Sequence, residues 1–361
     1  MDGKTEPRII QWLLDTRPLW PVSRKASPKD EVQELKSVAS RALSLLSPAE
    51  QKAVLQFYHV RDAKMSLASH LLKHLVITKY CNVSWQDSKI SRDENKKPCF
   101  VPAPDCPEQK HIEFNVSHQA GIVSLIASIG FEGKVEVGTD VVCANERLAH
   151  DYKFIEKDGF FEWVDMHGDV FAEHELNEMK LYPVLLPEDV LIDSLRGYAK
   201  DQISRCQWRN QQINIPASNI PNGIQGKPVP IDTNVIIDAK LRRFYAFWCL
   251  REAYVKMTGE ALLAPWLRDL EFRDVQPPAP CAEPEDSGSL AVGETLAELN
   301  IFFKGRPVKD VEMDLVAIGS HYMISAVIRA AQTADKERAV LGLWEHLELD
   351  RDVLSLAEGS Q

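Results

Sequence analysis

Along residues 238–259, DAKLRRFYAFWCLREAYVKMTG, apolar side chains return every three to four positions. At about 100° per residue, Leu241, Phe244, Tyr245, Trp248 and Val255 fall on one stripe, and Ala246, Leu250, Ala253 and Met257 cover the opposite side. Asp238 suits an N-cap and Gly259 the position just past a helix end, so the pattern predicts one helix of about six turns. Lys240, Arg243 and Arg251 are left to face water. Glu252 lies within the apolar stripe, with Lys256 one turn further at its edge. An ionised carboxylate in that place needs a cation, a metal or several donors. Two readings stay open: a buried Glu252–Lys256 pair at i,i+4, or a Glu that binds metal or moves a proton beside a Lys. The second requires another carboxylate elsewhere.

Taken in order, the chain opens with a strand-like run at residues 8–14 and helical spacing over 31–45. Ser47-Pro48-Ala49-Glu50 matches a capping box with Pro at the first helical position. Another helix starts at Arg61, with Met65, Leu67, Ala68, Leu71, Leu72, Leu75 and Val76 as its packing face. Arg61 and Lys64 stand where the helix dipole favours negative charge, a local irregularity that points weakly to function. Arg92, Lys96 and Lys97 gather before Pro98. Residues 111–118 (HIEFNVSH) and 121–129 read as two strands, placing Ser117 and His118 at the end of the first. Residues 135–142 (VEVGTDVV) form a third, in which Asp140 is the misfit: Asp is poor inside a strand, and metal coordination is one reason to find it there. Residues 170–181 predict a helix whose His174-Glu175 lacks the second His of a zinc-protease motif. Residues 182–234 are rich in Pro, Asn and Gln, without a continuous apolar face, and read as a dispensable surface insertion; about 275–295 reads as a second. Three runs at 297–303, 311–318 and 321–328 suggest a small antiparallel group, and GSHYMISAVI there echoes VSHQAGIVSLIA upstream. The tail 336–361 reads as an amphipathic helix carrying Trp344 and Leu347.

At 361 residues two lobes are expected, and we place their boundaries at 1–137 and 138–335. The net charge of −11 argues against a nucleic-acid partner, so any anionic ligand must be held by a local basic patch. Seven Cys without paired zinc spacing, no basic-then-apolar leader and no membrane-length apolar run suggest a cytoplasmic monomer off the membrane. Two carboxylates beside a basic set are how proteins hold Mg²⁺ against a phosphorylated substrate. The absence of G-x-x-x-x-G-K-[ST] counts against a nucleoside-triphosphate phosphotransferase. A non-catalytic binding protein would be marked by a lost Asp140 or Glu252, and both are present.

VGTDVV followed by FWCLREAYVKMTG resembles the paired signatures of Sfp-type phosphopantetheinyl transferases, and RDAKMSLASHLLKH, KKPCF and FNVSHQA match further family blocks in order. DTRPL and MTGEALLAPWLR are most similar to the broad-range branch of filamentous fungi. The resemblance implies an α+β fold of two pseudo-symmetric lobes, each a small antiparallel sheet on a long helix, with coenzyme A in the cleft between them. It implies that Asp140 and Glu252 ligate Mg²⁺, that Glu252 takes the proton from a carrier-protein serine, and that Lys256 steadies the leaving adenosine 3',5'-bisphosphate. By matching position, Arg61, Arg92, Lys97 and His118 would hold the nucleotide phosphates, with Pro98 and Ser117 beside them. The implied partners are acyl and peptidyl carriers of polyketide synthases, nonribosomal peptide synthetases, aminoadipate reductase and fatty acid synthase. Val142 departs from bacterial relatives, which carry an acid there, so a water is expected at that ligand position; Arg251 stands where Lys is usual.

Overall fold

The helix Val60–Cys81 (α4 below) forms because Ala63, Leu67, Ala68, Leu71, Leu72, Leu75 and Val76 recur at helical spacing, and all seven are buried. Each fully buried Leu contributes about 1.5–3 kcal/mol. Asn82, in the left-handed region at φ 58°, ends it. The computed structural model describes residues 6–25, 27–93, 97–102, 112–184, 200–215, 228–260, 264–282 and 290–360. The expectations for Lys96, Cys106, His111 and residues 261–263 fall outside these.

In chain order, β1 (Arg8–Asp15) leads to α1 (Pro28–Val38), α2 (Ser40–Leu43), α3 (Pro48–Leu55) and α4. Next come β2 (Ser91–Arg92), β3 (Pro98–Phe100), β4 (Ile112–Gln119), β5 (Ile122–Ile129) and β6 (Val135–Cys143). Helices α5 (Leu148–Asp158), α6 (Phe160–Asp165), α7 (Glu173–Leu181) and α8 (Lys200–Ser204) precede the hairpin β7 (Gln212–Ile215)–β8 (Val229–Asp232) and the 26-residue α9 (Thr233–Thr258). The rest comprises β9 (Leu270–Arg273), β10 (Val292–Leu296), β11 (Asn300–Phe303), β12 (Arg306–Pro307), β13 (Glu312–Ile318), β14 (Tyr322–Ala330), α10 (Thr333–Lys336), β15 (Glu345–His346) and α11 (Ser355–Gly359). The fold is mixed α+β. None of the described helices is long and apolar enough to cross a membrane.

A six-stranded sheet, β15-β1-β5-β4-β3-β2, packs on α4. It is antiparallel except where β15 runs parallel to β1, pairing Glu345 with Trp12. A four-stranded antiparallel sheet, β10-β13-β14-β6, packs on α9. Smaller sheets join β12-β11-β9 and β7-β8. Apolar residues from both large sheets, among them Ile122, Ile126, Val137, Val141 and Ile324, meet in a third core between them.

Several expectations shift. The capping box at Ser47 and Glu50 is formed. Residues 31–45 divide into α1 and α2. The run at 300–303 joins β9 and β12 rather than β13, and the strand beside β13 is β10, from within the segment read as a Pro-rich insertion. The tail enters as extended chain at β15, then turns helical from Leu349, where Leu347, Leu349, Val353, Leu354 and Ala357 bury into the α4 core. Helix α9 begins before Asp238: its N-cap is Asp232, whose carboxylate accepts from Asn234 N–H at 2.8 Å, while Asp238 accepts from the Tyr152 hydroxyl and Arg209. Gly259, at φ 77°, closes the helix as expected. Lys240, Arg243 and Arg251, expected to face water, are 0–1% exposed. The side they occupy is covered by residues near 180–183, 204–206 and 267–276, which supply their acceptors.

Candidate functional site

The site begins at a glycine. A Cβ on Gly138 would lie 2.3 Å from the Ala253 carbonyl oxygen and 2.6 Å from the Met257 nitrogen, so only glycine lets α9 lie this close to β6. Two residues on, Asp140 points from the same strand face to the same helix. Its Oδ1 accepts from Lys256 Nζ at 2.6 Å and from Ser117 Oγ at 2.8 Å, and Lys256 Nζ also reaches Ser117 Oγ at 2.8 Å. The three groups come from β6, α9 and β4. Lys256 therefore pairs with Asp140; an ion pair with Glu252 does not form.

Glu252, one turn before Lys256, is half-buried and has no hydrogen-bond or ion-pair partner among the described residues. Burial pushes its carboxyl above the ordinary range, the charge of Asp140 pushes the same way, and Lys256 opposes both. The charges of Asp140 and Lys256 thus both act on Glu252, with opposite sign. Among the described residues no group of three or more His, Cys, Asp or Glu is arranged to hold a metal. What the chain offers is a two-carboxylate set, which fits Mg²⁺ better than a closed transition-metal site, because Mg²⁺ takes its remaining ligands from waters and substrate phosphate oxygens.

His118, beside Ser117, is exposed, and its imidazole is held below the ordinary range by desolvation and by the positive charges of Lys256 and Lys73. Lys73, on α4, is a cation the sequence reading passed over. It has no hydrogen-bond or ion-pair partner among the described residues, and burial brings its ammonium down to about 8, with Arg92 adding to the shift and Glu50 opposing it. Its signal was present in SHLLKH, where a lone Lys interrupts the Leu-rich face.

The other expected residues scatter. Arg92, exposed on β2, stands opposite Pro98 of β3. Arg61 pairs with Glu146 at 2.7 Å. Lys97, expected at phosphates, is buried, with its ammonium donating to the Met257 carbonyl at 2.9 Å and the Val137 carbonyl at 3.3 Å.

A sequence profile described as "4'-phosphopantetheinyl transferase, N-terminal" matches residues 33–130. The chain is 39% identical over 355 residues to a 4'-phosphopantetheinyl transferase of Aureobasidium melanogenum, covering 96% of both proteins. It is 36% identical over 357 residues to 4'-phosphopantetheinyl transferase 1 of Fusarium mangiferae, covering 99% of this chain and 97% of the relative. A human protein named L-aminoadipate-semialdehyde dehydrogenase-phosphopantetheinyl transferase is 21% identical over 288 residues, 80% of this chain and 68% of the relative.

Proposed function

This chain belongs to the 4'-phosphopantetheinyl transferases, enzymes that transfer phosphopantetheine to carrier proteins, and we propose that it takes the group from coenzyme A with the help of Mg²⁺. One observation carries the reading: a strand acid, Asp140, is held beside a helix acid, Glu252, with Lys256 on the first and, among the described residues, no hydrogen-bond or ion-pair partner on the second. Asp140 and Glu252 are the residues that would hold Mg²⁺, which when bound neutralises charge on the pyrophosphate and the leaving group. With Val142 apolar and buried, water would complete the protein's side of that shell.

In the step itself the carrier serine Oγ attacks the phosphorus next to pantetheine. A serine O–P bond forms, and the P–O bond to adenosine 3',5'-bisphosphate breaks, that oxygen leaving with the electron pair. The serine proton passes to Glu252, a carboxylate whose burial raises its proton affinity. Lys256 stands by to balance charge on the departing phosphate. Arg61, Arg92 and Lys73 are exposed or half-buried cations and His118 is an exposed imidazole, and by matching position we assign Arg61, Arg92 and His118, with Lys73 added, to the nucleotide phosphates.

The two sheet-and-helix halves support a reading as two related lobes with coenzyme A between them. Each has a hairpin, β4–β5 or β13–β14, on a long helix. The SH echo is not equivalent in place: Ser117-His118 ends a strand, Ser320-His321 makes a turn. Carriers of polyketide, nonribosomal-peptide and fatty-acid synthesis, and the carrier domain of an aminoadipate reductase in lysine synthesis, are the proposed partners, in a reducing, cytoplasmic setting consistent with the six free cysteines among the described residues. The test is intact-mass analysis of a purified apo-carrier domain with this protein, coenzyme A and MgCl₂. One phosphopantetheine should be gained with the native protein and none with Asp140→Ala. An unmodified carrier, or full modification by the variant, contradicts the reading.

A further inference from the structure

Among the described strands, β6 pairs with β14 alone, along one side. The backbone groups on its other side are buried and need partners, as at any unpaired sheet edge. Side chains from the first half supply them. The Val135 carbonyl accepts from Ser128 Oγ at 2.8 Å, and the Val137 carbonyl from Lys97 Nζ at 3.3 Å. Further along, the N–H of Thr139 donates to Asn115 Oδ1 at 3.2 Å, that of Val141 to Ser117 Oγ at 3.3 Å, and that of Cys143 to Gln119 Oε1 at 3.2 Å. These last three acceptors are alternate residues of β4, each 24 positions before its donor. Amide and hydroxyl side chains thus stand where the backbone of a parallel neighbouring strand would be.

The middle rung reaches the site. A hydroxyl has one donor and two acceptor positions. Ser117 gives its proton to Asp140 and accepts from Val141 N–H and Lys256, so it has no donor left for a ligand. We infer that Asn115 and Gln119, the flanking rungs, are positioning residues: they fix the register of β6 on β4 and so hold Asp140 against Ser117 and Lys256. The apolar contacts between the sheets are non-directional, whereas three hydrogen bonds at a constant offset select one register.

The kinetic arm of the test rests on the proposed role of Asp140; the exchange arm does not. Asn115→Leu removes the acceptor at similar volume, and Asn115→Asp keeps an acceptor oxygen in its place. Hydrogen exchange at the Thr139 amide, kcat with a carrier, and KM for coenzyme A are measured for both. For Asn115→Leu, Thr139 exchange should speed up by about tenfold or more. Its kcat should fall about 10²-fold, as a displacement near 1 Å produces, with KM changed less than about twofold. Asn115→Asp should restore most of both. If Asn115→Leu does not fold, Gln119→Met is read by exchange at Cys143 and by kcat alone, because Gln119 also donates to Glu146, the partner of Arg61, at 2.6 Å. Normal kcat in the Leu variant, a loss confined to KM, or no recovery with Asp overturns the inference. Should Asp140→Ala prove inactive while Asn115→Leu turns over normally, the inference alone fails. Should Asp140→Ala stay active, the proposed role of Asp140 fails, and Thr139 exchange still judges the ladder.

Discussion

Helix α4 meets its sheet with Leu67, Leu71, Leu72 and Leu75 and keeps Arg61, Lys64 and Lys73 at its margins, whereas α9 takes Lys240, Arg243 and Arg251 fully inside. Each buried cation has its own socket. Lys240 donates to the carbonyls of Lys180, Ser204 and Cys206 at 2.6–2.9 Å. Arg243 donates to the carbonyls of Tyr182 and Pro183 and to Gln276. Arg251 pairs with the buried Glu175 at 2.5 Å and donates to the carbonyls of Leu267 and Leu270. A buried charge stripped of its partner costs about 3–5 kcal/mol. The comparison shows that α9 depends on segments beyond its own sheet: Ile203, Cys206 and Ile231, from the stretch that reads in the sequence as a dispensable surface insertion, are buried in its core. That helix carries Glu252 and Lys256, so the sockets also hold the chemistry in place.

The largest effect follows from removing a socket. Replacing residues 182–234 with a short Gly/Ser linker takes away the Tyr182, Pro183, Ser204 and Cys206 carbonyls and the buried Ile203 and Ile231. The expected outcome is loss of a cooperative thermal transition and of carrier modification together. A folded, active deletion variant would show that Lys240 and Arg243 find other acceptors, and the contrast with α4 would lose its meaning.

A smaller effect lies in the sheet beneath α9. Burial pushes the Asp314 carboxyl up to about 7, although its Oδ1 accepts from Ala326 N–H. The unfolded chain releases that proton near 3.9. Between about pH 4 and 7 the folded protein therefore binds more protons than the unfolded one, and stability falls as pH rises through that window. Asp314→Asn keeps an acceptor for Ala326 and should remove the slope, gaining on the parent protein by something on the order of a few kcal/mol at neutral pH. Denaturant midpoints at pH 5 and pH 7.5 decide it, and parallel pH dependence in the two proteins would contradict the assignment.

What the sequence displayed, and what it hid, follows the same contrast. The apolar period of α9, its closing Gly259 and the misfit of Asp140 between Val137 and Val141 were all visible, because local spacing sets them. The fate of Lys240, Arg243 and Arg251 was not. A cation on the third side of a helix reads as solvated unless the covering chain is known, and that cover comes from stretches with no periodicity of their own. Strand β4 misleads in a similar way. Ile112, Phe114 and Val116 alternate with Glu113, Asn115, Ser117 and Gln119, a pattern that ordinarily means one wet face. Here the polar face is the seam to β6, with Asn115 and Ser117 buried. Gly138 was legible as part of a resemblance, but its physical reason, the approach of Ala253 and Met257, needed the packed helix.

The central claim is that Glu252 serves the chemistry and not the fold, and Glu252→Gln tests it most directly, with kcat on a carrier domain measured beside a denaturant midpoint for the same protein. Because Lys256 bonds to Asp140 and Glu252 has no partner among the described residues, the variant should unfold at or above the native midpoint. Gln cannot accept the serine proton, so kcat should drop by about 10²–10⁴. A near-normal kcat, above all in a badly destabilised protein, would show that Glu252 is a structural charge and that the proton goes elsewhere.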